Sequence, residues 1–279
     1  MKLATFTHGG TTRAGVVLGD EVVDLGRDMI TLLAGELEHV AGAGGKTRLP
    51  LAQVRLEAPV LRPPKFLAVG LNYADHVAES GAERPALPTF FNKQSTCVTG
   101  PYDPIHRPRV SQLLDYEGEL GFVIGRRCRH VPRARAAEAI AGWVVLNDVS
   151  VRDWQLRVPT WTMGKSFDTH GPMGPWIVTA DELGDPHALR LRTWVNGELR
   201  QDSSTAQLIF DSFALVEHLS TAFTLEPGDV VATGTPGGVG MAMRPPRFLV
   251  PGDVVRVEIE RIGHIENRVV DEPDDTARL

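Results

Sequence analysis

The sequence predicts a β-dominated α+β protein, a mixed sheet closed into a barrel or roll and preceded by a small β-rich N-terminal domain. Apolar runs rich in Val, Ile and Phe recur at 66–70, 119–125, 142–147, 175–178, 190–195, 229–233, 253–260 and 264–270. From Lys65 onward, helical periodicity is limited to short stretches around 74–80, 133–141 and 212–222. Asn196-Gly197, set between Leu191–Val195 and Glu198-Leu199, is the strongest hairpin signal in the chain. Many strands, few helices and turn-rich loops favour a barrel or roll over a doubly wound α/β fold.

In chain order, residues 2–7, 15–18 and 21–24 read as short strands, with Gly19-Asp20 turning the last two into a hairpin. Asp28 is placed to cap a helix running to about Val40, with Met29, Leu32, Leu33 and Leu37 on one face, before the Ala41–Gly45 stretch breaks it. Pro59, Pro63 and Pro64 punctuate a connecting segment. Residues 1–62 are therefore expected to form an appended lid or packing domain, with the chemistry in 63–279. Within that second unit Asp211 is placed to cap 212–222, whose apolar stripe is Phe213, Val216 and Leu219.

The 279 residues carry 29 basic and 35 acidic side chains, a net charge of −6, with no Lys/Arg block. That leaves no electrostatic footprint for nucleic acid or an anionic membrane and points to a small-molecule partner. Two isolated cysteines, Cys97 and Cys128, exclude a disulfide framework or zinc cluster and suit a reducing compartment, the cytoplasm. The longest apolar-plus-glycine stretch, Ala139–Leu146, is far short of the ~20 residues a membrane helix needs. Met1-Lys2-Leu3 leads into Thr and His instead of a signal-peptide core.

Glu117 and Glu119 open an otherwise apolar strand at i and i+2, so alternation puts both on one face, about 7 Å apart along it. Two solvated acids at an exposed strand end would read the same way. Asp148 tilts the balance: it closes the apolar run Ala141–Leu146 beside Asn147, and a carboxylate ending a buried strand must be hydrogen-bonded, paired or metal-bound. Three hard oxygen donors would leave open positions on Mg2+ or Mn2+. Lys165, in Gly164-Lys-Ser, invites a phosphate-loop reading, but Pro159 stands where that motif needs glycine. It is either a surface lysine or a cation for a substrate carboxylate or enolate.

His76 and Glu79 face one another at i, i+3 if 74–80 is helical, as a surface ion pair or as an imidazole base oriented by a carboxylate. Thr233–Gly240 follows a strand but leads into no helix and lacks G-x-G-x-x-G, so it is not a dinucleotide site, although its amides can cradle a carboxylate. Neither G-x-S-x-G nor H-E-x-x-H occurs, which removes the serine-hydrolase elbow and the zincin arrangement.

Taken together, Val69–His76, Asp115–Glu119, Leu146–Asp153, Gly164–Asp168 and Thr233–Gly240 resemble, in order, five motifs of the fumarylacetoacetate hydrolase superfamily, over roughly Lys65 to Glu272. The resemblance implies a mixed β roll, a homodimer, and Mg2+ or Mn2+ held by Glu117, Glu119 and Asp148. It makes Lys165 and Gln155 neighbours of substrate and metal, Arg152 a supporting residue on the same segment, and Thr235 a carboxylate-binding hydroxyl. Tyr73, within the first of these motifs, is a further substrate-binding candidate. His76 with Glu79 is similar to the lid-helix dyad of the acylpyruvate hydrolase and oxaloacetate decarboxylase branch. The name-giving enzyme has a further ligand Asp shortly before the base His, whereas Phe66–Leu71 holds no acid. The resemblance therefore points to a three-carboxylate member acting on something other than fumarylacetoacetate.

The expected activity is C–C hydrolysis of a 2,4-dioxo acid, with oxaloacetate-type decarboxylation as a related activity. The alternatives are an isomerase of an unsaturated 2-hydroxydioate in aromatic catabolism and a metal-dependent binding protein without turnover.

Overall fold

The computed structural model describes residues 1–35 and 47–274. One large mixed sheet runs, from edge to edge, through Arg48–Pro50, Glu21–Asp24, Thr11–Leu18, Lys2–His8, Gly171–Val178, Ile140–Asn147, Gly118–Ile124, Val230–Ala232, Phe66–Gly70 and Thr89–Lys93. Its pairs are antiparallel except Val230–Ala232 with Phe66–Gly70, and the short parallel strand Val98–Thr99 beside Gly171 and Pro172. A second sheet orders Glu198–Ser204, Arg190–Val195, Val254–Ile259, Gly263–Asp271 and Ile105–Arg107, its first pair joined by the Asn196-Gly197 turn with both residues at positive φ. The strand-dominated architecture is the one expected.

Both faces of the central strands are buried, which is why they read as continuous apolar runs. Along Gly118–Ile124 the residues Leu120, Phe122 and Ile124 enter one core with Leu191, Val255 and Val257 of the second sheet. Val123 enters the other, with Val144, Leu146 and the N-terminal Leu32 and Leu33. The N-terminal strands extend the same sheet, Lys2 and Leu3 pairing with Val178 and Ile177. The unit therefore packs laterally, and none of its residues lines the principal cavity.

Two helical expectations are corrected. Asp28 caps its helix as expected, its carboxylate accepting from the Thr31 amide, but the helix spans only Met29–Ala34 and Gly35 closes it. Leu37, Val40 and the breaker Ala41–Gly45 lie outside the described residues. Around 133–141 the chain forms a 3-10 helix, Arg133–Ala139, and Ile140 already belongs to the next strand. The Ala74–Ser80 and Ser212–Ala222 helices fall where periodicity put them, the latter capped by Asp211 accepting from the Ala214 amide. Among the described residues no helix is long and apolar enough to cross a membrane.

The sheet brings four strand ends to one edge: the start of Gly118–Ile124 and the ends of Ile140–Asn147, Val230–Ala232 and Phe66–Gly70. Phe122, fully buried between the two sheets, anchors that edge from below. Replacing Phe122 by Ala is expected to cost about 3–5 kcal/mol of stability, read as a lowered urea midpoint; an unchanged midpoint would show that this core does not carry the edge.

Candidate metal centre and active site

Register is what gathers the acids. Gly118 pairs with Asn147 and Glu119 with Leu146, so Glu117 meets Asp148 on the next rung, where the Asp148 amide donates to the Glu117 carbonyl at 2.8 Å. Glu119 shares the Glu117 face two residues on. The carboxylates of Glu117, Glu119 and Asp148 are buried, with oxygens within 4.8 Å of one another.

Three buried cations answer them unequally. Lys165 Nζ donates to Glu117 Oε2 and Asp148 Oδ2, each at 2.7 Å. Arg152 donates from Nη1 to Glu117 Oε1 at 2.5 Å and from Nε to Asp115 Oδ2 at 2.9 Å. Lys93 Nζ donates to Asp148 Oδ1 at 2.6 Å and to the carbonyls of Lys165 and His170. Burial alone would lower the Lys93 pKa, but Asp148 beside it holds it above its ordinary value. Burial would likewise raise Glu117; Lys165 and then Arg152 outweigh it and hold the carboxyl down to about 2.

Glu119 has no such partner. Its one hydrogen bond comes from the Gly234 amide at 2.7 Å, and burial, then Asp148 and Glu117, push its pKa well above the carboxylate range. A buried carboxylate crowded by two others, with no cation of its own, fits a divalent ion held by three hard oxygen donors.

The glycine-rich loop is a carboxylate cradle, but the carboxylates belong to this chain. Gly234 donates to Glu119, Gly238 to Glu79 at 2.9 Å, and Gly240 and Met241 to Asp115 at 2.8 and 3.0 Å. The Thr235 hydroxyl lines the cavity while donating to the Gly118 carbonyl and accepting from Gln201 Nε2, both at 2.9 Å. Asn72 pins the loop's start, donating to the Thr233 carbonyl at 2.7 Å.

A cavity of about 470 Å³ opens over this centre, with His76, Glu79, Glu117, Arg152, Gln155, Lys165 and Thr235 in its wall. On the Ala74–Ser80 helix His76 Nδ1 lies 3.3 Å from Glu79 Oε2. Gln155 accepts from Arg152 Nη1 at 2.9 Å through Oε1, so its amide NH2 is left for the cavity. Glu119 and Asp148 lie beneath the wall.

Tyr73 is not brought to the cavity. It is the residue before the helix, bridged to Leu208, and its ring turns into the core, leaving the hydroxyl buried and unpartnered. Lys93 went unseen in the sequence, yet it had a signal: it stands two residues after Phe91 on the inward face of Thr89–Lys93. Asp115 and Gln201, which tie the loop down, were equally silent as roles.

Such a corner of buried acids and cations under a cavity, on a mixed-sheet roll, is a carboxylate group that could hold a divalent metal ion. Residues 65–270 match the fumarylacetoacetate (FAA) hydrolase C-terminal family, and the chain belongs to it; residues 1–59 match the Rv2993c-like N-terminal family. The mitochondrial oxaloacetate tautomerase fahd2 of Xenopus laevis is 45% identical over 224 residues, 80% of this chain and 70% of that protein. Maleylpyruvate hydrolase from Sphingobium sp. SYK-6, solved with manganese(II) and pyruvate, superposes with a TM-score of 0.82 at 36% identity, covering 98% of this chain and 100% of that one. The 2-hydroxyhepta-2,4-diene-1,7-dioate isomerase from Mycobacterium marinum gives 0.81 at 35% identity with the same coverage. The family's enzymes thus include hydrolases, isomerases and tautomerases.

The raised Glu119 carboxyl makes the metal-free protein pH-sensitive in a definite sense. A carboxyl whose folded pKa exceeds its unfolded value binds its proton more tightly in the native state, so stability falls as pH rises from the ordinary carboxylate range through the folded value. Glu117 acts oppositely: its contribution is present above the unfolded value and lost as pH falls toward about 2. With chelator present, Glu119→Gln is expected to abolish the loss of melting temperature on raising pH, and to abolish the rise that Mg2+ gives the parent. A variant that keeps both responses would remove Glu119 from the centre.

Proposed function

We propose that this protein is a Mg2+- or Mn2+-dependent hydrolase cleaving the C–C bond of a 2,4-dioxo acid of acylpyruvate type. The observation that carries the reading is the His76–Glu79 pair in the same cavity wall as Glu117 and Lys165. Hydrolysis needs a base for water, and this pair supplies one.

A divalent ion on Glu117, Glu119 and Asp148 would supply Lewis-acid polarisation of the 2-oxo group and an anchor for its carboxylate. Glu79, engaged with Nδ1 and held by the Gly238 amide, leaves His76 Nε2 to take a proton from water. The imidazolium so formed is balanced by Glu79 and can return that proton to the departing carbon. Lys165 spends two of its three protons on Glu117 and Asp148 and keeps the third for an enolate oxygen. The Gln155 NH2, oriented by Arg152, donates to a substrate oxygen. A substrate carboxylate reaching Thr235 takes the hydroxyl proton from the Gly118 carbonyl, while Gln201 keeps the oxygen in place.

A second reading, keto–enol tautomerisation of an oxaloacetate-like acid, is favoured by the 45% identity to the Xenopus tautomerase. It uses the same enolate stabilisation and needs no water.

His76→Ala is expected to lower kcat/KM for 2,4-dioxo acids by about 10²–10⁴-fold, with Mg2+ affinity by calorimetry unchanged and most of any oxaloacetate enol conversion retained. Undiminished cleavage in the variant would return His76 and Glu79 to a surface ion pair, and a parent enzyme that converts only the enol would select the second reading.

A further inference from the structure

Two local departures from backbone preference meet at one point of the cavity wall. Gly70 ends the regular strand Phe66–Gly70, paired with Thr89, a position at which glycine weakens a strand. Trp161 sits at φ 58, the left-handed region that a bulky residue rarely adopts. The indole lies directly on the glycine: a Cβ at Gly70 would stand 2.9 Å from Trp161 Cη2 and nearer still to Cζ3. Neither residue explains itself alone. Glycine makes the room, and the left-handed turn delivers the ring into it.

The contact continues into the chemistry. Trp161 meets Phe91 edge-on, centroids 5.6 Å apart and planes at 70°, and Lys165 Nζ lies 5.2 Å from the Phe91 ring centre. An aromatic wall therefore runs outward from the Lys165 ammonium through Phe91 to Trp161. Trp161 is also carried on the short segment between Gln155 and Lys165, so its position is tied to both. Leu71, Val239 and Met241 add apolar surface to the same cavity.

The geometry points to Trp161, seated on Gly70, as the residue that sets how long an apolar tail the 2-oxo acid substrate can carry. This rests on the proposed 2-oxo acid chemistry, with the head held at the carboxylate centre and the tail laid along Phe91 and Trp161. Because the indole lies directly on the glycine, a side chain added at Gly70 must displace the ring from its seat in the cavity wall, and removing the ring lengthens the slot.

The test is a series of 2,4-dioxo acids with unbranched tails from methyl to pentyl, with matching 2-oxo acids from pyruvate to 2-oxoheptanoate titrated into the Mg2+-loaded protein. Each buried methylene is worth about fourfold. Trp161→Ala is expected to raise the pentyl-to-methyl ratio of kcat/KM, and of affinity, by about tenfold or more. Gly70→Ala is expected to lower both ratios by a similar factor, Trp161→Phe to move them less than Ala, and Gly70→Ala with Trp161→Ala to recover the long tails. Equal effects on short and long tails, or a double variant no better than Gly70→Ala, would overturn the inference. If Gly70→Ala fails to fold, the Trp161 pair decides alone. Cleavage with an unmoved tail profile overturns the inference and leaves the hydrolase reading standing; a shifted binding profile without cleavage does the reverse.

Discussion

The structure is organised around an imbalance of buried charge. Glu117, Glu119, Asp148 and Asp115 are four acids, and Lys93, Lys165 and Arg152 are three bases, so the buried cluster carries one negative charge more than it can pair. Glu119 is the acid left over, and burial with Asp148 and Glu117 beside it pushes its pKa well above the carboxylate range. A divalent cation held by Glu117, Glu119 and Asp148 would offset the excess the other way, by favouring the ionised Glu119, and its binding would then release a proton.

Everything nearby serves to keep those charges from rearranging. The antiparallel register fixes Glu117 opposite Asp148, so neither can move without breaking the ladder. Lys93 grips the far oxygen of Asp148 and, through two carbonyls, the segment that carries Lys165. Asp115 links Arg152 to the glycine-rich loop, and Glu79 links that loop to the helix bearing His76. The loop's amides are therefore the joint between the buried carboxylates and the helix that carries His76.

Period and punctuation made the frame legible: the buried strands, the Asp211 and Asp28 caps and the Asn196-Gly197 hairpin all follow from local chemistry. The site acids were legible for the same reason, since an acid opening or closing an apolar run has no bland explanation, and the separate motifs together indicated the family. What stayed hidden depends on non-local partners. Lys93 reaches Asp148 only once strands 55 residues apart in sequence are assembled. The loop amides could have met a ligand or the chain's own acids, and only the fold decides. Tyr73 illustrates the converse: its place within a motif suggested contact with substrate, but the residue before a helix is free to turn inward, and the core took the ring. The helix begun at Asp28 stops at Gly35 because a local breaker outweighs an apolar stripe that would run on.

A centre of this kind suits the different reactions named for the chain's relatives. Hydrolysis, tautomerisation and double-bond migration of 2-oxo acids all pass negative charge onto the oxygen of C2, and a carboxylate-bound cation with Lys165 beside it lowers that common barrier whatever happens at the other carbons. Such a centre cannot by itself choose among them. Choice must come from groups that touch the rest of the substrate, such as His76 and the other side chains of the cavity wall. Several of those groups lie on the Ala74–Ser80 helix and the 156–163 segment, outside the central strands, so they can vary without disturbing the register that builds the charge cluster. The division of labour follows from the physics: buried charge tolerates little change, whereas the cavity wall above it can be rebuilt one side chain at a time.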